Sequence, residues 1–152
     1  MADGKKKFDP VFAENRKARH DYTVLDTIEC GVVLSGTEVK SVRLGSVSLS
    51  GAYGEVLGGE LWLVGADIAT YGFGNRFNHS PKARRKLLAH AREIESLRLK
   101  TEAKGMTLVP LKVYLKNGRI KISLGVCRGK AVHDKRDALK AKAMKRDLER
   151  GT

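Results

Sequence analysis

No run in this chain approaches the roughly twenty consecutive apolar residues that a membrane-spanning helix needs. The first ten residues hold Lys5, Lys6 and Lys7, but no apolar segment follows them. A secretory leader is therefore not expected, and the expected location is the cytoplasm. Cysteine is nearly absent: Cys30 and Cys127 stand alone with no CxxC spacing. Two buried free thiols in a reducing compartment fit this usage better than a disulfide between them. The four histidines, His20, His79, His90 and His133, are scattered. None has a second ligand at helical or hairpin spacing, so no metal site is expected. Nothing pairs a nucleophile with a base, and no carboxylate cluster would hold a catalytic metal. Gly125 to Lys130 reads GVCRGK, one residue short of a phosphate loop and without the Ser or Thr after its lysine. Neither a catalytic residue nor a cofactor is expected.

Acidic residues are also few relative to basic ones. Thirty Lys and Arg against seventeen Asp and Glu leave a net charge of +13 on 152 residues. So large an excess attracts polyanions and speeds their capture, which points to nucleic acid. The length suits one domain with a real core and short tails.

Local patterns indicate the organisation. Residues 1–14 are polar and without period and read as a mobile basic arm. Tyr22, Val24, Ile28, Val32 and Leu34 recur at period two, the pattern of a long half-buried strand with a break near Gly31. Ser35 and Glu38 form a capping box, followed by Val39 and Val42 and a stop at Gly45, a helix of about two turns. Val47 and Leu49 read as strand. Tyr53 to Leu57 and the apolar run Leu61 to Ile68 form a hairpin across Gly58-Gly59. Ala91 to Lys104 is composed of helix formers, with Gly105 after it. Leu111, Val113 and Leu115 face Ile120, Ile122, Leu124 and Val126 across Asn117-Gly118, the strongest short hairpin pattern a sequence offers. These elements predict a mainly β fold, a small antiparallel barrel with appended helices, of which the OB-like barrel is the nearest named architecture. There is no internal repeat. The folded domain is expected over 15–130 and a basic tail over 131–152.

Three basic clusters could hold RNA. Arg16, Lys17 and Arg19 precede the first strand, and Lys82, Arg84, Arg85 and Lys86 precede the long helix. Arg128 and Lys130 open a tail carrying Lys135, Arg136, Lys140, Lys142, Lys145, Arg146 and Arg150. As a helix, the tail would set Arg136 against Lys140, Lys142 against Arg146 and Arg146 against Arg150. Each such i,i+4 pair costs about 0.2–0.5 kcal/mol. A short, self-repelling helix should not persist in water and should form on RNA, where phosphates remove the repulsion. Between Tyr71 and His79, aromatics alternate with glycines and Arg76. They offer faces for unstacked bases, or equally could pack on the barrel.

Several runs resemble the SmpB family, the protein partners of transfer-messenger RNA in bacterial ribosome rescue. They are NRKARHDY from Asn15, GTEVKSVRLG from Gly36, GELWLVGA from Gly59, GNRFNH from Gly74, RKLL from Arg85, TLVPLKVYLKNGRIK from Thr107 and HDKR from His133. The resemblance covers about residues 15–137. It implies a six-stranded barrel with three helices, and the chain is expected to be a monomer when free. It also implies binding to the tRNA-like domain of transfer-messenger RNA and delivery of that RNA to a stalled ribosome, with the tail entering the empty messenger channel. Asn15, His20, Glu29 and Leu88 fall where the family makes or supports the RNA contact, and Asp134, Lys135 and Arg136 match its tail motif. Ser46 stands where the family usually has Lys, and Ser80 where it usually has Asp. The tail, ending at Thr152, is short for the family. On physical grounds alone, a protein held structurally on ribosomal RNA would look the same. A nuclease is the weakest alternative, because the sequence shows no carboxylate cluster to hold a catalytic metal.

Overall fold

The computed structural model describes residues 10–72 and 78–129. The first nine residues of the expected arm, Arg76, Lys130 and the tail residues Asp134, Lys135, Arg136, Lys140, Lys142, Lys145 and Arg146 lie outside them.

Among the described residues, nine strands and three helices follow in order: β1 (Val11–Glu14), α1 (Arg16–Asp21), β2 (Tyr22–Val32), α2 (Gly36–Arg43), β3 (Val47–Ser48), β4 (Tyr53–Leu57), β5 (Glu60–Val64), β6 (Asp67–Ile68), β7 (Arg85–Leu88), α3 (Ala91–Lys100), β8 (Met106–Lys116) and β9 (Arg119–Gly129). All the pairings are antiparallel. The main sheet runs β9-β2-β7-β5-β4-β8, and β8 returns to β9. Six strands therefore close into a ring, the barrel expected from the sequence, and β1 adds to β8 as a seventh strand outside it. Closure leaves the six without a free edge. The ring shuts where Gly54 pairs with Leu108. A Cβ on Gly54 would stand 3.0 Å from the Leu108 Cβ, so a side chain there would press the two strands apart.

Leu61, Leu63, Leu87, Leu108 and Leu124 fill the interior at 2% exposure or less. Burying each contributes roughly 1.5–3 kcal/mol. A second, smaller cluster of Ala18, Val109, Leu111 and Cys127 lies under α1, with Tyr22 and Val24 packed on it. Two irregularities decide which cluster a residue joins. On β2 the partner register passes from Val24 directly to Asp26, leaving Leu25 as a bulge. On β8 it passes from Pro110 to Lys112, leaving Leu111 unpaired beside a residue that has no N–H to give. A bulge exchanges the two faces of a strand. Tyr22 and Val24 therefore pack under α1 while Ile28 and Cys30 point into the barrel.

Several expectations are met at residue level. Ser35 and Glu38 form the capping box of α2. The Gly58-Gly59 turn joins β4 to β5, and Asn117 and Gly118, both at positive φ, join β8 to β9. Others are corrected. The arm over 1–14 does not extend so far, because Val11–Glu14 pairs with β8. The long first strand runs through Gly31, and its irregularity is at Leu25. Leu111 turns away from the Ile120–Val126 face because of its bulge. The run Leu61 to Ile68 bends at Gly65, so Ile68 leaves the barrel sheet and pairs with Val47. Helix α3 ends a turn early, where the Thr101 hydroxyl donates to the carbonyls of Leu97 (2.9 Å) and Arg98 (3.1 Å). Cys30 and Cys127 are free thiols. Burial pushes Cys30 up to about 12 and Cys127 up to about 11, so both stay protonated at neutral pH.

Candidate RNA interface

Strand register places one row of outward residues across five neighbouring strands. Leu88 on β7 pairs with Gly31 on β2, and Gly31 with Lys121 on β9. Lys121 pairs with Tyr114 on β8, and Tyr114 with Val11 on β1. The next parallel row runs Glu29, Ser123, Lys112, Glu14. Beyond the hairpin turn, Lys116 opposes Arg119. Alternating residues such as Cys30, Leu87, Val113 and Ile122 are buried on the opposite side. This outer face thus carries Lys112, Lys116, Arg119 and Lys121 together with Glu29 and Leu88. Gly31 leaves room for Leu88 to lie over the sheet, since a Cβ there would stand 3.3 Å from the Leu88 Cβ.

At the centre of the face, the Tyr114 hydroxyl donates to Glu29 Oε2, and Lys116 Nζ lies 3.3 Å and 3.4 Å from the two Glu29 oxygens. Lys112 Nζ sits 5.1 Å from the centroid of the Tyr114 ring. These residues border a trough of about 430 Å3. The hydrogen bond from Tyr114, with help from Lys116, holds the Glu29 carboxyl below its ordinary range, against a smaller opposing effect of burial. Burial first, and then the bond to Glu29, raise the Tyr114 phenol well above its ordinary range. At neutral pH the pair is therefore carboxylate and phenol. A second groove of about 310 Å3 lies beside Leu88, with Arg43, Arg119 and Lys121 among its lining residues.

Glu29 and Leu88, distant in sequence, are thus on one face. The other candidates are placed elsewhere. Asn15 is buried at 6% exposure and caps α1, its Oδ1 accepting from Ala18 N at 3.1 Å. Its amide donates to the carbonyls of Pro110 (3.0 Å) and Leu49 (3.2 Å), so the side chain is spent on holding α1 to β8. Arg16, Lys17, Arg19 and His20 are exposed on α1, with His20 Nδ1 3.0 Å from Asp21. Arg128 pairs with Thr23 at the same end of the barrel. A cleft of about 440 Å3 there has Lys17, Tyr22 and Tyr53 in its wall.

The basic run before the long helix is corrected most. Arg85 is 3% exposed, so it is no phosphate ligand. Its Nε donates to Glu38 at 2.6 Å, and its terminal nitrogens donate to the carbonyls of Ala66, Pro81 and Ser80 at 2.9–3.1 Å. Arg85 and Lys86, the last two residues of the run, open the strand β7, whose alternation turns Arg85 inward. Its neighbours face outward, where Arg84 pairs with Glu55 at 3.2 Å and lies over the Trp62 ring, and Lys86 pairs with Glu60. In the loop, His79 Nδ1 is 2.9 Å from the Thr37 hydroxyl and its Nε2 is 2.8 Å from the Ile68 carbonyl. Asn78 bonds both backbone groups of Tyr71, and Lys40 lies over the Tyr71 ring. The described ends of that loop are tied to the protein.

Lys112, Tyr114, Lys116, Arg119 and Lys121 were not singled out by sequence. Their usable pattern was three alternating positions before Asn117-Gly118 and two after it, which the hairpin register folds onto one face. Among the described residues no group of three His, Cys, Asp or Glu could hold a metal.

Comparison with known proteins supplies the family. The family model described as SmpB protein matches residues 12–152. The SsrA-binding protein of Staphylococcus haemolyticus (strain JCSC1435) is 55% identical over 150 residues, covering 99% of this chain and 96% of its own. That of Staphylococcus aureus (strain JH1) is 56% identical over 146 residues, covering 96% and 95%. A chain from the solved structure described as "tmRNA-SmpB: a journey to the center of the bacterial ribosome" matches with a TM-score of 0.68 at 49% identity, over 80% of this chain and 86% of that one. With a closed barrel, an outer cationic face and relatives matched along almost the full length, the chain belongs to the SmpB family.

Proposed function

We infer that the chain binds the tRNA-like domain of transfer-messenger RNA and delivers it to stalled ribosomes for trans-translation. It acts as a binding protein rather than a catalyst. The observation that carries this reading is the single outer face on which Glu29, Leu88, Lys112, Lys116, Arg119 and Lys121 converge. Closed-barrel strands hold these groups at fixed spacing, so the face can recognise a folded RNA by shape, while its lysines displace counterions from phosphates. The exposed cations of α1 and Arg128 form a second basic surface at the end of the barrel.

In this reading the domain through Lys130 holds the RNA, and the tail over residues 131–152 enters the empty messenger channel. There Asp134, Lys135 and Arg136 act, followed by the basic series Lys140, Lys142, Lys145 and Arg146. The test is RNA sequencing from a tagged pull-down. Strong enrichment of one small tRNA-like RNA over ribosomal RNA is the expected result. Enrichment of ribosomal RNA alone would make the protein a structural component of the ribosome.

A further inference from the structure

The trough at the centre of the cationic face has an unexpected polarity. Glu29 is a carboxylate and brings only acceptors. The one hydrogen of the Tyr114 hydroxyl is directed to Glu29 Oε2, which leaves the phenol oxygen free only to accept. A phosphate seated there would find no donor from either group and would face a carboxylate at short range. The cations stand around this centre: Lys112 over the Tyr114 ring, Lys116 beside Glu29 and Lys121 opposite Tyr114 in the register. They can reach phosphates to either side, but the middle calls for a donor.

We propose that Glu29 and Tyr114 form an acceptor subsite that takes a hydrogen-bond donor of the bound RNA, either a ribose 2′-hydroxyl or the exposed 2-amino group of an unstacked guanine. The flanking phosphates are held by Lys112, Lys116 and Lys121. Tyr114 is a contact residue in its own right, and Glu29 both contacts the RNA and fixes the direction of the Tyr114 hydroxyl. The proposal rests on the RNA-binding reading above and adds the chemistry that the site recognises. Its consequence is discrimination: DNA lacks the 2′-hydroxyl, and a regular duplex hides the base edges.

The experiment uses the full chain and a transcript of the tRNA-like domain, with binding measured across salt concentrations. Glu29→Met, which removes both acceptor oxygens, should weaken binding roughly tenfold, the scale of a hydrogen bond to a charged group. Glu29→Gln, which keeps one acceptor, should recover part of that loss, and Tyr114→Phe should lose a few-fold. None of the three should change the salt slope, because no phosphate contact is removed. Lys112→Ala should instead lower the slope by about one ion. The same melting temperature in each variant excludes a folding defect.

Transcripts carrying scattered 2′-deoxy or inosine substitutions then identify the donor. At one nucleotide the substitution should weaken binding to the wild-type protein and be silent with Glu29→Met. A 2′-deoxy effect assigns the ribose, and an inosine effect assigns a guanine edge. The proposal fails if no such position exists, or if Glu29→Met lowers the salt slope, since Glu29 would then act only by holding Lys116 on a phosphate. Failure of the wild-type protein to bind the transcript would instead overturn the RNA-binding reading itself.

Discussion

Arg85 and Glu38 meet inside the protein, Nε to Oε2 at 2.6 Å, with 2% and 8% of their side chains exposed. The pair joins β7 to the first turn of α2, and the remaining guanidinium bonds go to backbone carbonyls of the segments beside it. Removing one partner leaves a buried charge without compensation. Arg85→Met should therefore destabilise the fold by about 3–5 kcal/mol in denaturant unfolding, whereas Lys86→Met, at an exposed pair, should change it by less than about 1 kcal/mol.

The same pair gives stability a pH dependence. Burial opposes ionisation of Glu38, but bonds from the Ser35 backbone and from Arg85 outweigh it and hold its carboxyl below the ordinary range. A folded-state value below the unfolded one gives stability that is present above the unfolded value and lost as pH falls through the folded one. The melting temperature should drop as pH goes below the usual carboxylate range. In Glu38→Gln that acid dependence should be shallower, on a lower baseline.

Asn15 should behave as a structural residue although it opens NRKARHDY, one of the runs that resemble the family. Asn15→Ala removes the α1 cap and the donor to two carbonyls, at a cost of about 2 kcal/mol. Its effect on RNA affinity should follow the displacement of α1, so that lowering the temperature restores much of the binding.

Binding of the tRNA-like domain should be strongly salt-dependent. With about six phosphates contacted, log affinity against log salt should fall with a slope of roughly −4 to −5. Lys121→Ala should make the slope shallower by about one. A wild-type slope near zero would remove the electrostatic basis of the cationic face.

Gly31→Ala tests the face without touching a charge. The added Cβ meets exposed Leu88 at 3.3 Å, and Leu88 can move a few tenths of an ångström into solvent. Unfolding should change little while RNA affinity falls measurably. Equal affinity would show that Leu88 is not a contact.

Binding and rescue should separate at the tail. Residues 131–152 are mostly Lys, Arg, Ala and Asp. Truncation after Lys130 should keep the melting temperature and most affinity for the free RNA, yet abolish peptide tagging in a reconstituted stalled-translation assay. Replacing Asp134, Lys135 and Arg136 together by Ala should do much the same. Tagging by the truncated protein would refute the two-part mechanism.

What the sequence determined by itself was local. The Ser35–Glu38 capping box, the Asn117-Gly118 and Gly58-Gly59 turns and the helix-forming run from Ala91 depend on neighbours a few residues away, and their chemistry is visible in any short window. The excess of positive charge was equally plain and pointed to a polyanion. Glu29 and Leu88 stood out only through the family resemblance, because a lone acid and an exposed leucine have no pattern of their own. Tertiary structure alone decided which charges act together. Lys112, Lys116, Arg119 and Lys121 share a face through the register of one hairpin, and Glu29 and Leu88 join it through β2 and β7. The bulges at Leu25 and Leu111 exchange the faces of two strands without altering the alternation of the sequence. Arg85, the middle of an apparent basic run, is turned inward because β7 pairs on both sides and Glu38 waits beneath it. Strand pairing joins residues tens of positions apart, and no local propensity encodes that choice.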